Sequence, residues 1–299
     1  MPLLLIISAI TIGFLGNKVN FLTDYSFEVQ NPKIEFELKS NNENTESIYF
    51  IPNMSSFSKL GFGNKFLDFS ITVPNEDREE ADVDATQLVD IQLQGTRNKI
   101  QWEIYYQNYH DLYINNEKKI ENGLTTAHIH NYGLGLRYFI NDDFSAIHSF
   151  GNIAFKKKTN WSWLTGIHYS RSRLHSSLGL IPETYVSQYN DLSGITALDI
   201  SSTQIELGLA SMLASNSIFL SSLVSLGLNL QEQNYEGIDV KNSQTTNSSL
   251  QIKLNLGTAL GKRHTAGIDV QVNTENIAVK NSSFIKYRSL ISLYYKHYF

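Results

Sequence analysis

From about Pro32 onward, apolar and polar residues alternate with a period of two, in one long run after another. Leu67, Phe69, Ile71 and Val73 fall on one face, and Asp68, Ser70 and Thr72 on the other. The pattern returns at Val89, Ile91, Leu93 and at Ile100, Trp102, Ile104, Tyr106. It returns again at Ile205, Leu207, Leu209, at Val224 to Leu230, at Leu250 to Leu256 and at Ala266 to Val272. Successive side chains of a strand point to opposite faces, so each run reads as a strand with one apolar and one polar face. The chain is therefore all-β.

A soluble sandwich alternates in the same way, and three further features separate it from a barrel. The runs are long: many cover nine or more residues, the reach of a tilted strand across a bilayer, where sandwich strands average about five or six. Aromatics gather at run ends, at Tyr106 and Tyr109, Tyr138 and Phe139, Trp161 and Trp163, Phe219, and Tyr294, Tyr295 and Tyr298. Connectors alternate between short ones (63–64, 95–98, 141–143, 214–216, 261–263) and long polar ones (75–84, 110–126, 171–196, 231–247, 274–281). Outer-membrane barrels have aromatic girdles, short periplasmic turns and long external loops.

These features predict a transmembrane antiparallel up-and-down β-barrel of about twelve strands, near 33–39, 48–60, 65–74, 86–94, 99–108, 128–139, 160–171, 198–213, 217–230, 248–260, 264–273 and 284–299. Long loops on both sides of 127–170 require an even number of strands between them. Residues 144–159, with Lys156, Lys157 and Lys158, are therefore read as a periplasmic connector or a segment at the barrel mouth. The apolar run Leu3–Leu15 is too short for a spanning helix and fits a secretory signal over 1–16. Residues 17–31 then form an N-terminal periplasmic segment, and 32–299 the barrel in the bacterial outer membrane.

Composition removes other classes. The chain of 299 residues has no cysteine and a net charge of −5, so no disulfide framework or thiol chemistry is available and nucleic acid is not an expected partner. No phosphate-cradling glycine loop or dinucleotide fingerprint is present, and no cofactor or metal is expected. Expected partners are outer-membrane lipid, lipopolysaccharide and the barrel assembly machinery. The chain ends with Ile291, Leu293, Tyr295, His297 and Phe299 on one face. Leu293, Tyr295 and Phe299 resemble the C-terminal assembly signal of Gram-negative barrels.

Longer stretches carry a second likeness. Ser47–Pro74, Leu88–Gln94, Trp102–Ile114 and Tyr132–Phe150 resemble an uncharacterised family, a domain of unknown function, of Gram-negative outer-membrane β-barrel proteins. Its paired motif is a Y-x-P-N strand followed by a YYQ-x-Y strand, here Tyr49, Pro52 and Asn53, then Tyr105, Tyr106, Gln107 and Tyr109. The resemblance implies location and fold and brings no activity with it.

With apolar faces turned to lipid, the polar faces turn inward. The predicted lumen holds Asp68, Asp90, Glu103, Arg137, His168, Glu206, Lys253, Asp269, Lys286, Arg288 and Lys296. Such a lumen is either a narrow polar pore for small solutes or a salt-bridged interior that fills the bore. Gly133, Gly135, Gly166, Gly208, Gly227, Gly257 and Gly267 share the polar face, where they widen the bore, admit close packing or bend strands. His168 and Ser170 lie two apart on one face, as a base and nucleophile would. They are either a catalytic pair of a membrane-embedded lipid or ester hydrolase or two polar lumen residues. The acidic residues of 75–84 are a solvated loop or a site for a hard divalent cation, and His128 and His130 share a face without a third ligand at diagnostic spacing. Three functional classes stand: a barrel that is a narrow channel or a structural body, the hydrolase, and a soluble exported β-sandwich binding module.

Overall fold

The computed structural model describes residues 24–40, 45–64, 67–75, 85–116, 119–120, 127–144, 159–215, 217–237, 243–280 and 282–299. Its strands are β1 (Asp24–Ser40), β2 (Ile48–Pro52), β3 (Phe57–Gly63), β4 (Leu67–Pro74), β5 (Gln87–Arg97), β6 (Ile100–Asn116), β7 (Lys119–Ile120), β8 (Ala127–Phe139), β9 (Asn160–Ser176), β10 (Ala197–Ser215), β11 (Ile218–Glu236), β12 (Ser243–Ala259), β13 (His264–Val279) and β14 (Ser282–Tyr298). All pairs are antiparallel, and β1 pairs with β14 from Asp24↔Tyr298 to Ser40↔Ser282, which closes the sheet on itself. Apart from β7, which pairs only with β6, thirteen segments fill twelve positions, because β2 and β3 lie end to end beside β1. There is one closed sheet, so the sandwich alternative falls. The expected signal segment at 1–16, the acidic residues 76–84 and most of the expected connector at 144–159 lie outside the described residues.

The strands are longer than a bilayer requires; β10 and β11 have 19 residues each. The extra length has the opposite polarity. On β10, Ile205, Leu207 and Leu209 point outward and are exposed, while Glu206 between them is buried inward. Seven residues earlier on the same strand the inward positions are the buried Leu198 and Ile200. On β8, Leu134, Leu136 and Tyr138 face out around the inward Arg137, whereas nearer the long loops Ile129 is buried and His128 and His130 face out. Apolar-out and polar-in is the pattern of a wall in lipid, and apolar-in and polar-out that of a barrel in water. Each long strand thus crosses the membrane near its short-turn end and stands in water near its long-loop end. A closed twelve-stranded barrel with an exposed apolar belt is an outer-membrane protein.

This inversion corrects several expectations. The apolar face of 33–39, Ile34, Phe36 and Leu38, is buried inside the barrel and does not face lipid. Strand β1 starts at Asp24, so residues 24–31 belong to the barrel and not to a preceding segment. Pro32 hid this. It falls in residues 31–35, which pair with β14 and with neither β2 nor β3, where a missing N–H is tolerated. The polar stretches 110–116, 171–176, 231–236, 243–247 and 274–279 are strand, not loop. Of the aromatics at run ends, Tyr106, Tyr138, Trp161, Trp163 and Tyr295 face out as a girdle, while Tyr109, Phe139 and Phe219 are buried.

The second strand is not continuous over 48–60, and its break organises the mouth. Strand β3 pairs with β4, and β5 with β6, but β2 pairs directly with β6 through Tyr49↔Asn115 to Pro52↔Leu112. The β4–β5 hairpin therefore stops partway up the wall. The barrel has twelve strands in the membrane and ten at the mouth. The family-like motif residues sit at this branch. Asn53 is buried; its N–H donates to the Thr86 hydroxyl (2.8 Å) and its carbonyl accepts from the Thr86 N–H (3.3 Å). The Thr86 hydroxyl in turn donates to the carbonyl of Asp111 (2.8 Å). Asp111 has a left-handed φ of 64° and marks the bulge where β6 shifts register against β8 between Tyr109 and Leu112.

The ten-stranded mouth is filled. Inward residues of β1, β2, β6, β8, β9, β10, β11, β13 and β14 form one apolar cluster, joined by Phe57 at the start of β3 and Leu88 near the start of β5. The connector after β9, with 3₁₀ turns at Glu183–Tyr185 and Asn190–Leu192, folds into it. Leu180, Ile181, Tyr185, Tyr189, Leu192 and Ile195 of this connector are buried in the cluster. The Tyr189 hydroxyl donates to the carbonyls of Leu38 (2.9 Å) and Glu46 (2.8 Å), and burial pushes its pKa up to about 12, so it remains a donor. What the sequence presents as a long external loop is a plug.

Candidate functional site

Beneath the plug lies a polar chamber of about 370 Å³, within the barrel. It extends to the short-turn end, where Thr265, Lys296 and Tyr298 line it. Of the lumen residues read from alternation, Asp68, Glu103, Arg137, His168, Lys253, Asp269, Lys286, Arg288 and Lys296 line it. Asp90 and Glu206 are buried behind its surface.

The charges come in compensated groups. Arg137 Nε donates to Glu206 Oε2 (2.9 Å), its Nη1 lies 3.6 Å from Glu103 Oε2, and its Nη2 donates to Gln251 Oε1 (2.7 Å). His168 bridges the same two carboxylates, with Nε2 2.5 Å from Glu206 Oε2 and Nδ1 3.4 Å from Glu103 Oε1. Lys296 lies 3.0 Å from Asp24 and 3.4 Å from Asp68. Arg288 reaches Asp90 (3.3 Å), which also accepts from Gln107 (3.0 Å). Lys286 faces Glu275 at 3.5 Å, and Lys59 faces Glu28 at 3.8 Å. Burial of one charge is costly unless it is paired, and these pairs meet that cost.

Close approach explains two inward glycines. A Cβ on Gly135 would stand 2.3 Å from His168 Nδ1, and one on Gly166 would stand 2.9 Å from Glu206 Oε2. The side chains of the charge network lie flat over neighbouring strands where no Cβ obstructs them.

The His168–Ser170 pair does not assemble as base and nucleophile. Both ring nitrogens of His168 are taken by carboxylates, and the Ser170 hydroxyl bonds to Tyr105. Sequence reasoning missed Asp24, Glu28, Lys59 and Glu275. The first two fell in the excluded N-terminal segment, and the last in a supposed loop. Glu28 was detectable, since Tyr25, Phe27 and Val29 flank it with the same alternation.

Leu293, Tyr295 and Phe299 of the C-terminal row are exposed outward along the β1–β14 seam, opposite Val29 and Phe27. On the outer wall above the belt, His110, His128, His130 and His175 gather from β6, β8 and β9. Their rings pack on one another, His110 to His128 at 4.6 Å between centroids and to His130 at 5.5 Å. Among the described residues no group of three or more His, Asp or Glu is arranged to hold a metal ion. Desolvation first, and then the neighbouring His110, hold His128 and His130 below the ordinary histidine pKa near 6.5; His175 and Arg173 act in the same direction, and Asp111 opposes this at His128. The folded rim therefore binds fewer protons than the unfolded chain. Its stability is full above about pH 6.5 and falls as pH drops through that value towards the lowered pKa. Protection of the amides over 127–131, after correction for the slower intrinsic exchange at acid pH, is expected to fall between about pH 7.5 and about pH 5.5. Unchanged or increased protection at the acid end would refute this.

A family model described as Domain of unknown function (DUF4421) matches residues 23–296. None of the curated proteins matches the chain. Among solved structures, the outer membrane protease OmpT from Escherichia coli is similar at 8% identity and a TM-score of 0.44, over 95% of this chain and 99% of that one. The translocator domain of the autotransporter NalP from Neisseria meningitidis is similar at 9% identity and a TM-score of 0.42, over 98% and 93%. The attachment invasion locus protein Ail of Yersinia pestis is similar at 9% identity and a TM-score of 0.25, over 91% and 98%.

Proposed function

The chain belongs to the DUF4421 family of unknown function, and from its geometry we propose that it is a sealed outer-membrane barrel, a membrane-anchored structural body around a polar chamber, rather than a constitutively open pore. The apolar plug carries this reading. A channel for small polar solutes needs a polar path through both ends, and an apolar layer across the mouth opposes ion passage. The belt gives the barrel its lipid partner, and the polar wall above it faces lipopolysaccharide. The exposed row Leu293, Tyr295 and Phe299 is the feature that barrel assembly machinery would read.

Single-channel recording in planar bilayers tests the seal. The purified, refolded protein is expected to give no steady conductance. A variant with residues 179–194 replaced by a short Gly-Ser linker is expected to conduct, because the ten-stranded mouth then loses its filling. Steady conductance in the parent protein would overturn the sealed reading and restore the narrow channel.

A further inference from the structure

Ion pairs engage much of the chamber's charge, and neutral polar groups line the rest of its wall. Amides line it on several strands, among them Gln30, Asn131, Gln204, Gln251 and Asn273. Gln30 Oε1 and Asn131 Oδ1 belong to residues more than nine-tenths buried and have no hydrogen-bond partner within the protein; Asn273 Oδ1 and Ser249 Oγ, on part-buried residues, are also unpartnered. A buried acceptor left empty costs free energy, so each is a position where a donor is favoured. Tyr105 and Tyr294 add ring surface to the wall. We propose that the chamber binds a small neutral polyhydroxylated ligand, a mono- or disaccharide, from the short-turn side; the side of access rests on the sealed reading.

Three considerations select this class. A charged ligand would have to compete with the carboxylates that already face Arg137 and Lys296, and with Asp90 for Arg288. A purely apolar ligand would cover the empty amide oxygens without satisfying them. A sugar brings hydroxyl donors for the amide carbonyls, hydroxyl acceptors for the amide N–H groups, and C–H faces for the tyrosine rings. The volume of about 370 Å³ lies in the range of small-molecule sites.

The test is isothermal titration of the refolded full chain in detergent. Glucose and sucrose serve as neutral probes, and glucose 6-phosphate and glucosamine as charged ones. At least one neutral probe is expected to bind, with each charged probe about tenfold weaker or more. Asn131→Leu is expected to weaken neutral binding by about tenfold, the loss of one buried hydrogen bond. Its folding is checked by a boiling-dependent mobility shift, and Asn273→Ala replaces it if that shift is lost. Absence of binding by both neutral probes, equal binding of a charged probe, or unchanged affinity in the folded variant would each overturn the proposal. Failure of the seal is read separately, as conductance.

Discussion

Arg137→Met is expected to lower the unfolding free energy of the barrel in lipid vesicles by about 3–5 kcal/mol. Arg137 is buried between Glu103 and fully buried Glu206, and it is the charge that both carboxylates share. Removing it leaves two acids facing each other across His168, at a depth where ions are expensive. The loss comes from stranding the carboxylates rather than from the intrinsic worth of the pair. Adding Glu103→Gln and Glu206→Gln to Arg137→Met is therefore expected to recover much of it. Urea titrations of folding into vesicles read both effects. A cost below about 1 kcal/mol for the single variant, as for an exposed pair, would mean that lumen water solvates these carboxylates and that the network is not a structural element.

Phe50→Ala is expected to cost about 3–5 kcal/mol, the range for an aromatic removed from a packed core. Phe50 is buried in the mouth, where Leu174, Leu180, Ile181, Leu192 and Ile195 leave a void of only about 20 Å³ around it. Such a site has little room to collapse, so the new cavity persists. The loss should be local. Hydrogen exchange is expected to quicken in β2, in the upper part of β6 and in the plug, while amides of the lipid-embedded halves of β10 and β11 keep their protection. Uniform loss of protection would show that mouth and membrane halves unfold as one unit and would refute the two-zone description.

The membrane half was legible in the sequence because lipid imposes one rule on every strand. Period two and the costs of charge in hydrocarbon together gave the number of strands, their approximate positions and an inward face for Arg137 and Glu206. The mouth was not legible from period alone. The alternation resumes after a short polar break with its sense reversed, as on β10, where Ser201, Ser202, Thr203 and Gln204 separate apolar positions that are even at Leu198 and Ile200 from ones that are odd at Ile205 and Leu207. Reading the parity of the apolar set would have found the change; reading only its presence did not. The plug escaped for a related reason. Between Ser176 and Thr196 the sequence carries Leu180, Ile181, Tyr185, Tyr189, Leu192 and Ile195 at irregular spacing, and irregular apolar spacing is what a loop packed into a core requires. Within the chamber, the pairing of Lys296 with Asp24 and Asp68 joins residues from both ends of the chain, and alternation gives a facing direction without a partner.

Because β4 and β5 span the lipid zone but not the mouth, the wall contains a hairpin that can be counted separately from the other ten strands. Barrel diameter follows strand number, so this protein has two diameters, one set below the Asn53–Thr86 junction and one above it. A hairpin added or removed below that junction would resize the chamber while the narrower collar, with its own β2–β6 pairing, kept its fit around the plug. In a lineage of such barrels, the width in the membrane is then free to drift by whole hairpins under a conserved stopper.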